Sequence, residues 1–98
     1  MNGLACIGAL KALGEESRLR ILRLLYQQRL SVTQIAEQLN LPQPNVSKHL
    51  RVMREAGLLE IEKCGQLRLY TVTPKLKSEA GHTLDLGCCT FRLDKLPK

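Results

Sequence analysis

The sequence has 98 residues, enough for one domain whose small core would gain from further burial at a subunit interface. A total of 15 lysine and arginine residues against 9 aspartate and glutamate residues gives a formal net charge of +6, which favours a polyanionic partner. The sequence shows no secretory signal peptide and no apolar run of membrane-spanning length. We therefore expect a cytoplasmic protein with reduced cysteines and no membrane partner.

Two helices are predicted at the start of the chain. Apolar residues recur at helical spacing over residues 4–13, and Gly14 ends this short helix, which has one apolar face. In residues 15–25 the first turn is acidic, as the helix dipole favours, and arginines then alternate with a leucine stripe. This second pattern is typical of an amphipathic helix packed on a core.

The next two predicted helices form a helix-turn-helix. Ser31 and Gln34 match a capping box at the start of the first helix, and Pro42 follows its end. The second helix is predicted from about residue 43 to residue 56, with Gly57 as its C-terminal cap. Two short helices joined by a tight turn indicate a DNA-binding motif.

A β-hairpin is predicted after this motif. Residues 58–63 and 67–72 alternate in polarity around Cys64-Gly65-Gln66, which supplies the glycine that a tight turn needs. The predicted fold is mainly α with a small β-hairpin, a winged helix-turn-helix. Its single domain spans residues 1–98, with core and wing in residues 1–73 and a C-terminal dimerisation and sensor segment in residues 74–98.

The polar face of the second helix of the motif carries side chains that can reach bases and phosphates, and the N-terminal end of such a helix enters the major groove. The hairpin turn offers polar and basic groups to the backbone of an adjacent groove. A basic helix face alone is usually only solvated, but here all the parts of the motif follow in order. The candidate DNA-binding residues are Gln43, Asn45, Ser47, Lys48, Arg51, Lys63, Gln66 and Arg68.

Other polar residues are expected to have separate roles. Ser17, Arg18 and Arg20 are further candidates for phosphate contact, whereas we expect His49 to be packed or hydrogen-bonded rather than a ligand. The sequence has no Cys-x-x-C in a βαβ pattern, no Ser/His/Asp set and no phosphate-binding glycine loop, so an enzyme is not expected.

The sequence resembles the arsenic-responsive repressor family (ArsR/SmtB) over residues 4–73. The likeness lies in residues 10–22, 30–36 and 45–58, and most specifically in Val-Ser-Lys-His-Leu followed by Glu-Ala-Gly-Leu. The resemblance implies a homodimer held by the first helix and the C-terminal segment. It also implies a double-stranded operator with imperfect palindromic symmetry, read in part by Gln43, Ser47 and Lys48, and release from DNA when a metal or metalloid binds.

Two metal sites of the family are missing from this sequence. Residues 31–34 read Ser-Val-Thr-Gln where founding arsenic sensors carry Cys-x-Cys, and His82 stands alone where zinc sensors place several ligands. Cys88 and Cys89 look like the vicinal pair that some arsenic-sensing relatives carry near their C-terminus. Thiolates select trivalent arsenic or antimony as inducer, and no cofactor is needed for folding.

Adjacent cysteines are poorly placed for a disulfide with each other, because consecutive Cα atoms lie about 3.8 Å apart and disulfides usually need about 4.4 Å or more. Cys6 is the preferred third ligand, since relatives pack the first helix on the C-terminal segment, and Cys64 is expected to be an exposed bystander in the wing. Three alternatives remain: cysteines that only pack in a dimer interface, a redox or persulfide switch involving Cys6 or the other subunit, and an architectural or protein-binding winged helix.

Overall fold

The computed structural model describes residues 3–78 and 81–95. Four helices are followed by two antiparallel hairpins. The helices are α1 (Gly3–Leu13), α2 (Glu16–Gln27), α3 (Val32–Leu39) and α4 (Gln43–Glu55). The strands are β1 (Leu59–Cys64), β2 (Leu67–Val72), β3 (Thr83–Asp85) and β4 (Thr90–Arg92), with 3-10 turns at Pro74–Leu76 and Leu93–Lys95. The side chain of Leu4 and the predicted domain ends at residues 1–2 and 96–98 lie outside the described part.

The helix boundaries follow from local chemistry. The Glu15 carboxylate accepts hydrogen bonds from the backbone N–H groups of Ser17 and Arg18 and so caps α2. Ser31 and Gln34 form the predicted capping box at the start of α3. Asn40 ends that helix in the left-handed region, with φ 55°, and α4 begins directly after Pro42.

Strands β1 and β2 form the predicted wing. Leu59 pairs with Val72 at the base and Cys64 with Leu67 at the tip, where Gly65 takes φ +65°. Leu30 exchanges two backbone hydrogen bonds with Tyr70, of 2.8 and 3.2 Å, and so joins the segment before α3 to the wing. Arg29 adds an ion pair to Glu62, with 2.6 Å between Nη1 and Oε2.

Helix α2 lies at the centre of the core. Ile21, Leu22 and Leu25 are fully buried, and α2 contacts the other three helices and β2. Leu50 and Met53 bury the opposing face of α4. No helix within the described residues is long and apolar enough to cross a membrane.

The C-terminal segment differs from the single strand that its apolar pattern suggests. Residues 83–92 form a second hairpin, β3 and β4, because Gly87 at φ 88° turns the chain and its N–H donates to Asp85 Oδ1 at 2.8 Å. The hairpin folds back onto α2, where the Tyr26 hydroxyl donates to the Thr83 carbonyl oxygen at 2.8 Å. Leu84 and Leu86 of this hairpin are fully buried.

Candidate nucleic-acid interface and thiol cluster

The outer face of α4 presents the predicted recognition residues to solvent. Val46 and Leu50 are fully buried on the core side, which turns the intervening polar side chains outward. All five predicted residues of this helix are exposed: Gln43, Asn45, Ser47, Lys48 and Arg51.

Four residues of α4 line one surface depression, namely Pro44, Ser47, Lys48 and Arg51. Pro44 was not among the predicted residues, although its spacing of three, four and seven residues from the others places it on the same helical stripe. Pro42 gives α4 no side-chain cap, so the positive end of the helix dipole is left uncompensated beside Gln43. Gln43 Nε2 donates to Thr33 Oγ1 at 3.2 Å, which ties the start of α4 to α3. The depression and the uncapped start of α4 thus form a surface with positive electrostatic character.

The wing carries the remaining predicted DNA-binding residues on its outer end. Lys63 pairs directly with Arg68 across the two strands, and Gln66 occupies the turn. All three side chains are exposed. Like charges placed opposite each other across an antiparallel pair repel, so this pair costs stability unless an anion lies beside it. The outer end of the wing therefore presents two adjacent positive charges to solvent.

Arg18 and His49 form a polar connection between α2 and α4. Arg18 Nε donates to His49 Nδ1 at 3.2 Å, and Arg18 Nη1 donates to the Ala12 carbonyl oxygen at 3.2 Å. Glu15 Oε2 lies 3.7 Å from the same His49 nitrogen. Burial alone would raise the pKa of Glu15, but the hydrogen bonds from the Ser17 and Arg18 N–H groups, together with the charge of Arg18 and that of His49 when it is protonated, lower it overall.

These contacts bear on two expectations. His49 is half-buried and hydrogen-bonded, as expected. The Arg18 guanidinium makes two hydrogen bonds within the protein, and its phosphate contact stays a prediction. No spacing pattern predicts this pair, because 31 residues separate Arg18 from His49.

Three cysteines meet where α1 touches the tip of the second hairpin. The sulfur atoms of Cys6, Cys88 and Cys89 all lie within 4.8 Å of one another. Cys6 is buried in α1, Cys89 is half-buried and Cys88 is exposed. Cys64 is exposed at the end of β1 and stands apart from this thiol cluster, as expected.

Two members of the thiol cluster lie close enough to form a disulfide, whereas reduced cysteines were expected. Cys6 and Cys88 are paired in this geometry, with their Cα atoms 6.4 Å apart, whereas Cys89 and Cys64 are unpaired. A separation of 6.4 Å lies within the range that disulfides span, and it arises because α1 packs on the hairpin tip. Cys88 and Cys89 are not bonded to each other, and their sulfurs are 3.8 Å apart.

The hairpin tip holds the vicinal pair in place. Leu86 N–H donates to the Cys89 carbonyl oxygen at 3.0 Å and closes the turn. Cys6 Sγ lies 3.6 Å from the Leu86 carbonyl oxygen, against the same turn. The alternative that Cys88 and Cys89 only pack in a dimer interface stays a prediction, because Cys88 is exposed and Cys89 half-buried on the surface of a single chain. The cluster can form a disulfide or, when reduced, offer three thiolates to one soft ion.

Comparison with known proteins identifies the family. A family model described as a helix-turn-helix domain matches residues 13–62. The arsenical resistance operon repressor of Escherichia coli (strain K12) is 35% identical over 86 residues, which cover 87% of this chain and 74% of that protein. The chain belongs to the ArsR/SmtB family of transcriptional regulators. Its relatives are regulators rather than enzymes, as predicted.

Solved structures of the family share the fold. Reduced HlyU from Vibrio cholerae N16961 matches with a TM-score of 0.67 and 34% identity, over 82% of this chain and 80% of that one. The homodimeric winged helix-turn-helix DNA-binding domain of Mb0332 from Mycobacterium bovis matches with a TM-score of 0.66 and 29% identity, over 69% and 63% of the two chains. The predicted winged helix-turn-helix is thereby confirmed.

Proposed function

We propose that this ArsR/SmtB regulator is a homodimeric repressor that leaves its operator when trivalent arsenic or antimony binds Cys6, Cys88 and Cys89. The observation that carries the proposal is the approach of three sulfur atoms to within 4.8 Å at the junction of α1 and the second hairpin. Two or three thiolates, without carboxylate or imidazole, suit a trivalent metalloid. The reduced cluster therefore fits this inducer.

The exposed stripe of α4 and the basic wing support binding to duplex DNA, and we propose that the protein acts in the cytoplasm. A twofold dimer would place two recognition helices on half-sites about 10 base pairs apart in an imperfect palindrome. Ile7 and Leu10 of α1 are 52% and 43% exposed, which leaves an apolar face for a second copy. Base reading falls to the α4 residues and phosphate contact to Lys63, Gln66 and Arg68.

Release from DNA follows from the position of the thiol cluster. The cluster joins α1 to the second hairpin, and these elements form the dimer interface in the proposed assembly. A metalloid that draws three sulfurs together changes how the two elements pack and so changes the spacing of the two recognition helices. A coupling of about 1–3 kcal/mol is typical for such regulation, and operator DNA must weaken inducer binding by the same factor.

A redox switch is the second candidate, and the Cys6–Cys88 disulfide is the observation that favours it. Forming this bond from two thiols removes two protons and transfers two electrons to an oxidant such as peroxide. A persulfide donor could act on the same thiols. A similar protein, HlyU from Vibrio cholerae, has been solved in a form described as reduced.

Cys89 separates the two candidates. An operator fragment selected from random DNA would be bound to the reduced protein and titrated with arsenite or, separately, with peroxide, with fluorescence anisotropy as the readout. If a metalloid is the inducer, Cys88→Ser and Cys89→Ser each abolish release by arsenite while operator binding stays intact. If the disulfide is the switch, Cys89→Ser still responds to peroxide and Cys88→Ser does not.

Cys64→Ser is the matched control and should respond like the parent protein to both treatments. Should the double variant Cys88→Ser/Cys89→Ser still leave the operator at the parent's arsenite concentration, the proposed inducer site is wrong. A selection that yields no preferred DNA sequence would instead indicate an architectural or protein-binding winged helix.

A further inference from the structure

Arg18 occupies a position that the proposed DNA contacts and the thiol cluster leave unexplained. One guanidinium group bonds two different helices: Nη1 donates to the Ala12 carbonyl oxygen in the last turn of α1, and Nε donates to His49 Nδ1 of α4. The last carbonyls of a helix lack partners within that helix, so Arg18 also caps α1. The planar guanidinium fixes both directions at once, which a single ammonium group cannot do.

The two helices that Arg18 joins carry the two candidate sites. Cys6 lies in the same helix as Ala12, six residues earlier and about 9 Å along the helix axis. His49 directly follows Lys48, one of the exposed residues on the outer face of α4. Because a short helix moves as a rigid body, a change at the Cys6 end also moves the Ala12 end.

We propose that Arg18 is the positioning residue that couples the thiol cluster to the recognition helix through His49. This inference rests on the proposed function and adds the route by which the thiol cluster controls DNA binding. In the unliganded protein the Arg18 bonds hold α4 at a fixed position relative to α1. When the thiol cluster binds a ligand and α1 shifts, the two Arg18 bonds cannot both be kept, and α4 leaves the position that fits the operator.

The chemistry of the bond sets a condition on His49. Arginine is only a donor, so His49 Nδ1 must be unprotonated to accept from it. Glu15, whose Oε2 lies 3.7 Å from Nδ1, faces the same atom from the turn between α1 and α2. The Glu15 carboxylate can accept a hydrogen bond from Nδ1 when that nitrogen carries a proton. His49 therefore has an alternative partner when the bond from Arg18 is lost.

The test is a comparison of operator affinity with and without arsenite in the full chain, kept reduced. For the parent protein we expect the ratio of the two dissociation constants to lie in the usual range of about 5–150. Arg18→Met removes both donors and keeps the length of the side chain. Its ratio should fall towards one, because the arsenite-free form loses affinity while the arsenite-bound form changes little. Arsenite binding, measured by equilibrium dialysis, should keep its stoichiometry.

Arg54→Met is the matched control, since it removes an exposed arginine from the last turn of α4 by the same substitution. The control variant should keep the parent ratio. Operator DNA should weaken arsenite binding in the parent and the control but no longer in Arg18→Met, because coupling between two ligands is reciprocal. A merely structural role for Arg18 would lower both affinities and leave their coupling unchanged.

His49→Leu reaches the same bond from the other side and covers the case in which Arg18→Met does not fold. It should also lower the ratio, and the double variant should lower it no further than either single variant. If Arg18→Met or His49→Leu keeps the parent ratio, the coupling role is wrong while the thiol site stands. If the parent protein itself shows no response to arsenite or peroxide, the proposed function fails and this inference fails with it.

Discussion

The wing pair Lys63 and Arg68 should affect stability and DNA affinity in opposite directions. The two cations are directly opposite in the strand register, where like charges cost about 0.2–1 kcal/mol. Because both side chains are exposed, screening by water keeps the repulsion near the lower end of that range. We therefore expect Arg68→Gln to raise the free energy of unfolding of the free protein by about 0.2–0.5 kcal/mol.

The same substitution should weaken binding to every DNA sequence. A contact between arginine and phosphate releases a bound counterion, so the loss of one contact should reduce the slope of log K against log salt by about 0.9. Operator and random duplex should lose affinity by a similar factor. Lys63→Gln should behave in the same way, and the double variant should gain little more stability, since one substitution already removes the repulsion.

Urea denaturation of the free protein and fluorescence anisotropy over a series of salt concentrations would measure the two effects. Lys75→Gln is a suitable control because it removes an exposed lysine just beyond the wing. The reasoning is refuted if Arg68→Gln lowers the stability of the free protein or leaves the salt slope at the parent value. A loss of affinity confined to the operator would also contradict it.

Three other substitutions test the remaining parts of the proposal. Gln43→Ala or Ser47→Ala should each weaken the free energy of binding to the operator by about 1–3 kcal/mol and change binding to random DNA little. Equal losses of binding free energy on both DNAs would refute base reading by α4. Ile7→Asp should shift the protein from dimer to monomer in sedimentation experiments at micromolar concentration. An unchanged dimer would show that the apolar face of α1 is not part of the dimer interface. Glu15→Gln should destabilise the fold by about 0.5 kcal/mol at pH 7. Because the folded-state pKa of Glu15 is lowered, its contribution is present above its unfolded pKa and lost as the pH falls through the folded-state pKa, so the two urea curves should converge on acidification.

The helix-turn-helix and wing were predictable because their signals are local. The capping box at Ser31, the proline before α4 and the glycine in the wing turn each act within a few residues of the structure that they determine. The outward face of α4 followed from helical spacing alone. The ligand role of the vicinal cysteines was predicted from the chemistry of thiolates and from the family resemblance. No sequence spacing defines the geometry of this site.

Long-range contacts account for what the sequence did not predict. Cys6 and Cys88 are 82 residues apart, and their disulfide depends on the packing of α1 against a hairpin tip. The position of the second hairpin on α2 involves a hydrogen bond between Tyr26 and Thr83, which are 57 residues apart. The sequence pattern does not predict this contact.

The two proposed uses of the thiol cluster exclude each other, which leads to a further prediction. Oxidation of Cys6 and Cys88 leaves Cys89 as the one free thiol of the three, and a trivalent metalloid then loses two of its three sulfur ligands. The oxidised protein should therefore bind arsenite much more weakly than the reduced protein in equilibrium dialysis, and treatment with a thiol reductant should restore binding. Cys88→Ser, which cannot form this disulfide, should give weak arsenite binding that is the same before and after oxidation. Equal arsenite affinity of the oxidised and reduced parent protein would show that the inducer site does not include Cys6 and Cys88.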